Sequence, residues 1–129
     1  MTYTVLIIED NMQNRYLATY LLEHNGCSVV AALDRPRGIA LADTLLPDMV
    51  LLNIQLPGMD GYSVARALRR TPVLHATTII AVSSYAKSGD REKAVAAGCD
   101  GYIEKPIDPR TFVAEISTYL PLSAAGTTP

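Results

Sequence analysis

The feature that most constrains the fold of this chain is a series of five short apolar segments, which recur about every 20 to 30 residues. They span residues 4–8, 28–32, 49–54, 78–83 and 101–103. The first, third and fourth contain continuous apolar runs, at residues 5–8, 49–52 and 79–82, instead of alternating with polar residues. This pattern is typical of strands that are buried on both faces, as in a parallel sheet covered by helices.

Helical patterns fill the intervals between these segments. Apolar residues recur there at helical spacing, and the stripes end at Asn25-Gly26, Pro47, Pro72, Gly98 and Pro121. Asp108 followed by Pro109 predicts the start of the last helix, and residues 88–92 predict the start of the fourth. The order predicts an α/β fold of five βα units, with right-handed crossovers and helices on both faces of the sheet.

Length and composition narrow the class of protein. A chain of 129 residues fits one domain, which we assign to residues 1–120, and the small polar residues 121–129 predict a flexible tail. Its 11 basic and 13 acidic residues give a net charge of −2, which argues against nucleic-acid binding. The sequence has neither an apolar run of about 20 residues, as a membrane span requires, nor a signal-peptide pattern. We therefore expect a cytoplasmic protein in which Cys27 and Cys99 are buried thiols.

Polar residues that can bind a metal ion or a phosphoryl group end four of the predicted strands. Glu9 and Asp10 follow the first strand, Asn53 lies at the end of the third, Ser83 ends the fourth and Lys105 follows the fifth. Ligands of such sheets bind beyond the carboxyl ends of the strands. Adjacent carboxylates suit Mg²⁺, and a hydroxyl and a lysine can bind phosphoryl oxygens. The sequence therefore predicts a metal-assisted phosphoryl site.

Each of these residues also has a purely structural interpretation. Glu9 and Asp10 could cap the first helix, because acidic side chains accept hydrogen bonds from the free backbone N–H groups there. Ser83 could be an ordinary strand-end hydroxyl, and Lys105 could be a solvated charge. Their coincidence at four strand ends favours one shared site over four separate structural roles.

Several motifs in the chain are similar to those of one signalling family. They are Val-Leu-Ile-Ile-Glu-Asp-Asn at 5–11, Pro-Asp-Met-Val-Leu-Leu-Asn at 47–53, Leu-Pro-Gly-Met-Asp-Gly at 56–61, Ala-Val-Ser-Ser at 81–84, Gly-Cys-Asp-Gly-Tyr at 98–102 and Lys105-Pro106. Over about residues 3–120 the chain resembles the receiver domain of response regulators. The resemblance implies a flavodoxin-like fold with strand order 2-1-3-4-5. It also implies Mg²⁺-dependent transfer of a phosphoryl group from a phosphohistidine of a histidine kinase to an aspartate of the receiver.

The same resemblance implies a role for each matching residue. Glu9 and Asp10 would hold Mg²⁺, together with the backbone carbonyl of Gln55 and one neutral oxygen of Asn53. Ser83, with Ser84 beside it, and Lys105 would bind phosphoryl oxygens. Tyr102 matches the aromatic residue that turns inward when a receiver switches, and the Lys105–Pro106 peptide matches one that is cis in the family.

The chain departs from the family at the central position. The phosphoryl acceptor of a receiver is an aspartate, and this sequence has Asn53 there. A carboxamide oxygen lacks the charge and the nucleophilicity to form an acyl phosphate, so we predict no phosphorylation at residue 53 and weakened Mg²⁺ binding. Three explanations stay open: a substitution that fixes the unphosphorylated state, a natural receiver that acts by protein contact alone, or an error or chemical change at this site.

The resemblance further implies a signalling module that is not an enzyme and is a monomer or weak dimer. Its partners would be a histidine kinase or a histidine phosphotransfer protein, and a downstream protein target. The expected interaction face consists of Lys93, Ala97, Tyr102, Glu104, Phe112 and Glu115. Tyr16 and Tyr20 of the first helix either contact the kinase or pack over a neighbouring helix.

Two other classes share this kind of fold and are disfavoured by the sequence. A small phosphatase of the aspartyl-phosphate type needs an Asp nucleophile and a second Asp two residues later, and Asn53 and Gln55 supply neither. A flavin-binding protein of the flavodoxin type needs a hydroxyl- and glycine-rich loop after the first strand. The acidic loop 9–13 of this chain would instead repel phosphate.

Overall fold

Among the residues that the computed structural model describes, which are 3–54, 61–83 and 90–120, five strands form one parallel sheet. The strands are β1 (Thr4–Ile8), β2 (Ser28–Ala32), β3 (Met49–Asn53), β4 (Thr78–Ser83) and β5 (Gly101–Glu104). Their order in the sheet is β2-β1-β3-β4-β5, and every neighbouring pair is parallel. The predicted flavodoxin-like α/β fold is therefore confirmed.

Helices follow each strand. They are α1 (Met12–His24), α2 (Arg35–Leu45), α3 (Gly61–Arg70), α4 (Asp90–Ala96) and α5 (Phe112–Ser117), and a short 3₁₀ turn at Pro72–Leu74 precedes β4. The predicted start of the last helix at Pro109 is wrong, because the helix begins three residues later, at Phe112. The Asp108 carboxylate accepts a hydrogen bond from the Arg110 backbone N–H at 2.9 Å, which fixes a turn rather than a helical cap.

Two apolar cores lie on the two faces of the sheet, because successive side chains of a strand point to opposite faces. In β1, for example, Leu6 and Ile8 belong to the core that contains residues of α2, α3 and α4, whereas Val5 and Ile7 belong to the core that contains residues of α1 and α5. The two cysteines are free and buried, one on each face, as the sequence predicts.

The end of β3 is held in place by contacts from two helices. Gly61, the first residue of α3, lies so close to Ile54 that a Cβ atom at this position would be 2.6 Å from the Ile54 Cα. The Arg35 side chain, which is buried at the start of α2, donates a hydrogen bond from Nη2 to the Ile54 carbonyl at 3.1 Å. These contacts fix the backbone directly after Asn53.

Candidate functional site

Glu9, Asn53 and Lys105 meet at the carboxyl edge of the sheet. The Lys105 Nζ lies 2.9 Å from the Glu9 Oε1, and the Asn53 Nδ2 donates a hydrogen bond to the Glu9 Oε2 at 2.8 Å. The side chains of Glu9 and Lys105 are 6% and 9% exposed, and Asn53 is 5% exposed. The site is thus centred on a buried carboxylate that an ammonium and an amide bind together.

The loop between β1 and α1 explains why Glu9 points into the site. The Asn11 side chain caps α1 by accepting a hydrogen bond from the Asn14 N–H at 2.9 Å, so the structural alternative of a cap by Glu9 or Asp10 is wrong. The Asn11 backbone N–H instead donates to the Glu9 Oε2 at 3.1 Å. Asp10 is exposed at the surface.

Charge determines how the Asn53 amide is oriented. The nitrogen carries two hydrogens and faces the Glu9 carboxylate, whereas the oxygen in that place would face another acceptor. The Glu9 carboxylate therefore receives three donors, which are the Lys105 ammonium, the Asn53 amide and the Asn11 backbone N–H. Such charge-assisted hydrogen bonds satisfy a buried carboxylate and neutralise its charge.

Ser83 and Tyr102 lie on the neighbouring strands. Ser83 is the last residue of β4 and is buried, and its carbonyl accepts a hydrogen bond from the Lys105 backbone N–H at 2.8 Å. Tyr102 of β5 is also buried, and the Arg91 guanidinium of α4 lies 5.4 Å from the centre of its ring. The sequence analysis missed this cation–π contact, because no local pattern links a residue of α4 to one of β5.

Other predicted residues are placed as follows. The Lys105–Pro106 peptide bond is cis. Gln55 and Ser84, predicted respectively to supply a metal-binding carbonyl and to flank the phosphate-binding hydroxyl, lie outside the described residues, as does the 121–129 tail.

Comparison with known proteins decides the family. A family model described as response regulator receiver domain matches residues 5–117. The chain belongs to the response regulator receiver family. The polar-differentiation response regulator DivK of Brucella ovis is 36% identical to it over 120 residues, which cover 93% of this chain and 98% of DivK.

Solved structures agree with this assignment. The chemotaxis protein CheY4 of Vibrio cholerae has the same fold, with a TM-score of 0.88 at 22% identity, and the match covers 93% of this chain and 100% of CheY4. The receiver domain of the sensor histidine kinase PA1611 from Pseudomonas aeruginosa matches with a TM-score of 0.82 at 28% identity, over 92% and 98% of the two chains. That receiver was solved with a magnesium ion coordinated in its active-site cleft.

The described residues of this receiver do not fit a magnesium ion as their side chains lie. Both Glu9 oxygens accept hydrogen bonds, and Asn53 turns a donor toward Glu9. No three His, Cys, Asp or Glu side chains within 3–54, 61–83 and 90–120 are grouped so that they could hold a metal ion. The acids Asp10 and Glu104 at this edge are exposed.

The predicted interaction face is wrong for three of its six residues. Ala97, Tyr102 and Phe112 are 2%, 7% and 1% exposed, because their side chains belong to the apolar cores on the two faces of the sheet. Their side chains do not reach the surface. Lys93, Glu104 and Glu115 are exposed.

Three large apolar or aromatic side chains are exposed on the outer surface of α1. Met12, Tyr16 and Tyr20 are 72%, 71% and 54% exposed and follow one another at a spacing of four residues, so they form one stripe, here called the α1 stripe. Tyr20 stacks on His24 of the same helix, with ring centres 5.9 Å apart. The exposed fractions contradict the alternative in which the tyrosines pack over a neighbouring helix. The sequence analysis missed Met12, although its spacing to Tyr16 could have revealed it.

No helix within the described part of the chain is long and apolar enough to span a membrane.

Proposed function

We propose that this chain is a receiver that is not phosphorylated at residue 53 and that acts in two-component signalling through protein contacts. The observation that carries the proposal is the amide of Asn53, which occupies the acceptor position and donates a hydrogen bond to Glu9. An amide nitrogen engaged as a donor is no nucleophile, and the amide oxygen carries no formal charge with which to attack phosphorus.

The other residues of the site support a receiver whose acceptor position differs from an aspartate only in the NH₂ group of Asn53. Ser83 and Lys105 are at the ends of β4 and β5, where a phosphoryl group on residue 53 would need a hydroxyl and a cation. An aspartate at residue 53 would differ from Asn53 only by an oxygen in place of an NH₂ group. We therefore expect Asn53→Asp to be a phosphoryl acceptor.

The α1 stripe supports a contact with a histidine kinase or a histidine phosphotransfer protein. Exposed aromatic side chains contribute strongly to protein interfaces, since they bury a large area with few rotatable bonds. The stripe begins at the first residue of α1, next to the loop that carries Glu9. A partner bound to it would reach the carboxyl edge of the sheet, while the exposed Lys93, Glu104 and Glu115 remain available to a downstream target.

The proposal is tested by incubating the unchanged chain and Asn53→Asp with acetyl phosphate and Mg²⁺ and measuring intact masses. We expect no change for the unchanged chain and the mass of one phosphate added to Asn53→Asp. Gln13→Glu, an exposed substitution that also adds one negative charge near α1, is the matched control and should stay unmodified.

Two results would contradict the proposal. Phosphorylation of the unchanged chain at residue 53 would show that the amide does not prevent the reaction. An unmodified Asn53→Asp would show that the residues around position 53 are not a receiver site.

A further inference from the structure

The acidic site of this chain already contains a positive charge, and that charge belongs to the chain itself. We propose that Lys105, with the Asn53 amide, replaces the divalent cation as the counter-charge of Glu9, so that this receiver keeps its resting site without Mg²⁺. The inference rests on the proposed function in taking this edge of the sheet as the receiver site. It goes further by naming the group that occupies the cation's place.

The oxygens of the Glu9 carboxylate are already bound by three donors. The Lys105 ammonium lies 2.9 Å from one oxygen, and the Asn53 amide and the Asn11 N–H lie 2.8 and 3.1 Å from the other. A carboxylate has about four lone-pair directions, and three of them here point at hydrogens. Mg²⁺ needs oxygens that point at the ion from about 2.1 Å in an octahedral arrangement. The remaining direction on Oε1 lies beside the Lys105 ammonium, so a Mg²⁺ ion bound there would be repelled by that positive charge.

Both side chains of the ion pair are buried. The Glu9 and Lys105 side chains are 6% and 9% exposed, so little water is present to stabilise either charge once the pair is broken. Expelling the ammonium would leave it buried without its counter-ion, unless it found another carboxylate. Among the described residues of this edge, the other acids are Asp10 and Glu104, and both are exposed to water. The Lys105 ammonium therefore competes effectively with dissolved Mg²⁺ for the Glu9 carboxylate.

The amide of residue 53 adds a donor where an aspartate would add a second negative charge. An Asp at this position would place a carboxylate oxygen where the Asn53 Nδ2 now lies, 2.8 Å from a Glu9 oxygen. Two carboxylates at that distance repel each other and attract a cation. The second carboxylate would also give Lys105 another partner, which would release Glu9. Asn53→Asp, which replaces one NH₂ group by an oxygen, thus changes a site that disfavours Mg²⁺ into one that binds it.

The test is a Mg²⁺ titration of the full chain in which the backbone amide chemical shifts are monitored by NMR. We compare the unchanged chain with Asn53→Asp and with Lys105→Met, which keeps the length of the side chain but removes the ammonium. We expect saturable shifts near Asp10 in both variants, with an affinity about 100-fold higher for Asn53→Asp than for the unchanged chain, a ratio at the upper end of effects from groups around a metal site. Lys105→Met should fall between them.

A matched control separates a local effect from net charge. Lys93→Met removes the same charge from an exposed position on α4, so it should bind Mg²⁺ as weakly as the unchanged chain. Lys105→Arg keeps the positive charge at the site and should also remain weak. The dispersion of the NMR spectrum shows whether each variant is folded, and Asn53→Asp decides the question if Lys105→Met does not fold.

The outcomes distinguish this inference from the proposed function. The inference is overturned if the unchanged chain binds Mg²⁺ within about threefold of Asn53→Asp, or if a folded Lys105→Met gains no affinity. In either case Asn53→Asp could still accept a phosphoryl group, and the proposed function would stand. If Asn53→Asp gains Mg²⁺ affinity but is not phosphorylated, the inference stands and the proposed function fails.

Discussion

The two edges of the sheet each enclose a long cationic side chain, but they do so in different ways. At the carboxyl edge, Lys105 pairs with the side chain of Glu9. At the amino edge, Arg69 of α3 donates hydrogen bonds to the carbonyls of Gly98 at 2.8 and 3.0 Å and of Thr77 at 2.9 Å, and it pairs with Asp100 at 2.8 Å.

This difference in partners shows which edge stabilises the fold and at which edge the cation can change its partner. The planar guanidinium of Arg69 matches several backbone carbonyls at once, and these cannot move without disrupting the segments before β4 and β5. Gly98 makes room for it, since its φ of +102° favours glycine and a Cβ there would lie 3.1 Å from the Arg69 Cγ. Lys105 is a point charge paired with a side chain that can rotate. The amino edge therefore holds the fold together, and the carboxyl edge can exchange partners.

The largest expected effect is at the amino edge. Arg69→Ala would leave the carbonyls of Gly98 and Thr77 and the Asp100 carboxylate without this donor, and we expect it to lower the free energy of unfolding by about 3 to 4 kcal/mol. Urea denaturation measures this loss. Arg70→Ala, at the exposed neighbouring position, should cost no more than about 0.5 kcal/mol. Equal losses for the two variants would contradict the structural role of Arg69.

The amino edge should also make stability depend on alkaline pH. Burial raises the pKa of the Cys99 thiol to about 11 from 9.0, and the neighbouring Asp100 carboxylate adds to this, while Arg69 acts against it. The unfolded thiol loses its proton near pH 9, whereas the folded thiol keeps it up to about pH 11. Stability from this group is therefore complete below pH 9 and is lost as the pH rises to 11, by roughly 2 to 3 kcal/mol.

Denaturation of the unchanged chain and of Cys99→Ala at several pH values checks this dependence. Cys99→Ala should be less stable throughout, because it leaves a cavity, but its stability should fall less between pH 9 and 11. The pKa of Cys27 is also raised by burial, so a smaller dependence should remain. Parallel curves for the two chains would show that Cys99 does not contribute.

A somewhat smaller effect is expected at the carboxyl edge. Lys105→Met leaves the Glu9 carboxylate buried without its cation but with two N–H donors, so we expect the free energy of unfolding to fall by about 2 kcal/mol, as for one hydrogen bond to a charged group. Combining it with Glu9→Gln removes the unpaired charge, so the double variant should be more stable than Lys105→Met alone. A double-mutant cycle by urea denaturation measures this coupling. Additive losses would mean that the pair contributes nothing as a pair.

The smallest effect on stability is expected on α1. Tyr16→Ala removes a ring that is 71% exposed, so the free energy of unfolding should change by less than about 0.5 kcal/mol. If the α1 stripe binds a histidine phosphotransfer protein, the same substitution should weaken that binding by at least about tenfold. Calorimetric titration measures the affinity, and Gln13→Ala, an exposed substitution on the same helix, is the control. Unchanged binding would exclude Tyr16 from the interface.

The sequence predicted the elements of the fold well, since each strand is a short apolar run between helix-stopping residues. It also placed Glu9, Asn53 and Lys105 at strand ends, which parallel strands bring to one edge. It did not predict the role of Arg69, which looks like an ordinary basic helix end. The partners of Arg69 at Gly98 and Asp100 are about 30 residues away in the chain, and such contacts leave no local pattern.

The errors have similar causes. Phe112 and Ala97 were assigned to a surface from the resemblance, although their apolar character and spacing fit the buried faces of their segments. The start of α5 was misplaced because Asp108 followed by Pro109 fits both a helix cap and a turn, and the hydrogen bond from Arg110 decides for the turn. Local sequence identifies the elements, but competing hydrogen bonds determine where they end.

The alternation of side chains across the sheet has a consequence for the site. Val5 and Ile7, Met49 and Leu51, and Ile103 all face α1 and α5, and residues 9, 53 and 105 continue the same odd-numbered series along their strands. Glu9, Asn53 and Lys105 therefore reach the site because they share the parity of these residues, whereas Ser83 continues the other series of β4, with Ile79 and Ala81. Inserting a single residue into the middle of β3 would turn every later side chain of that strand to the opposite face. Such a chain would keep every site residue in its sequence and still lose the site.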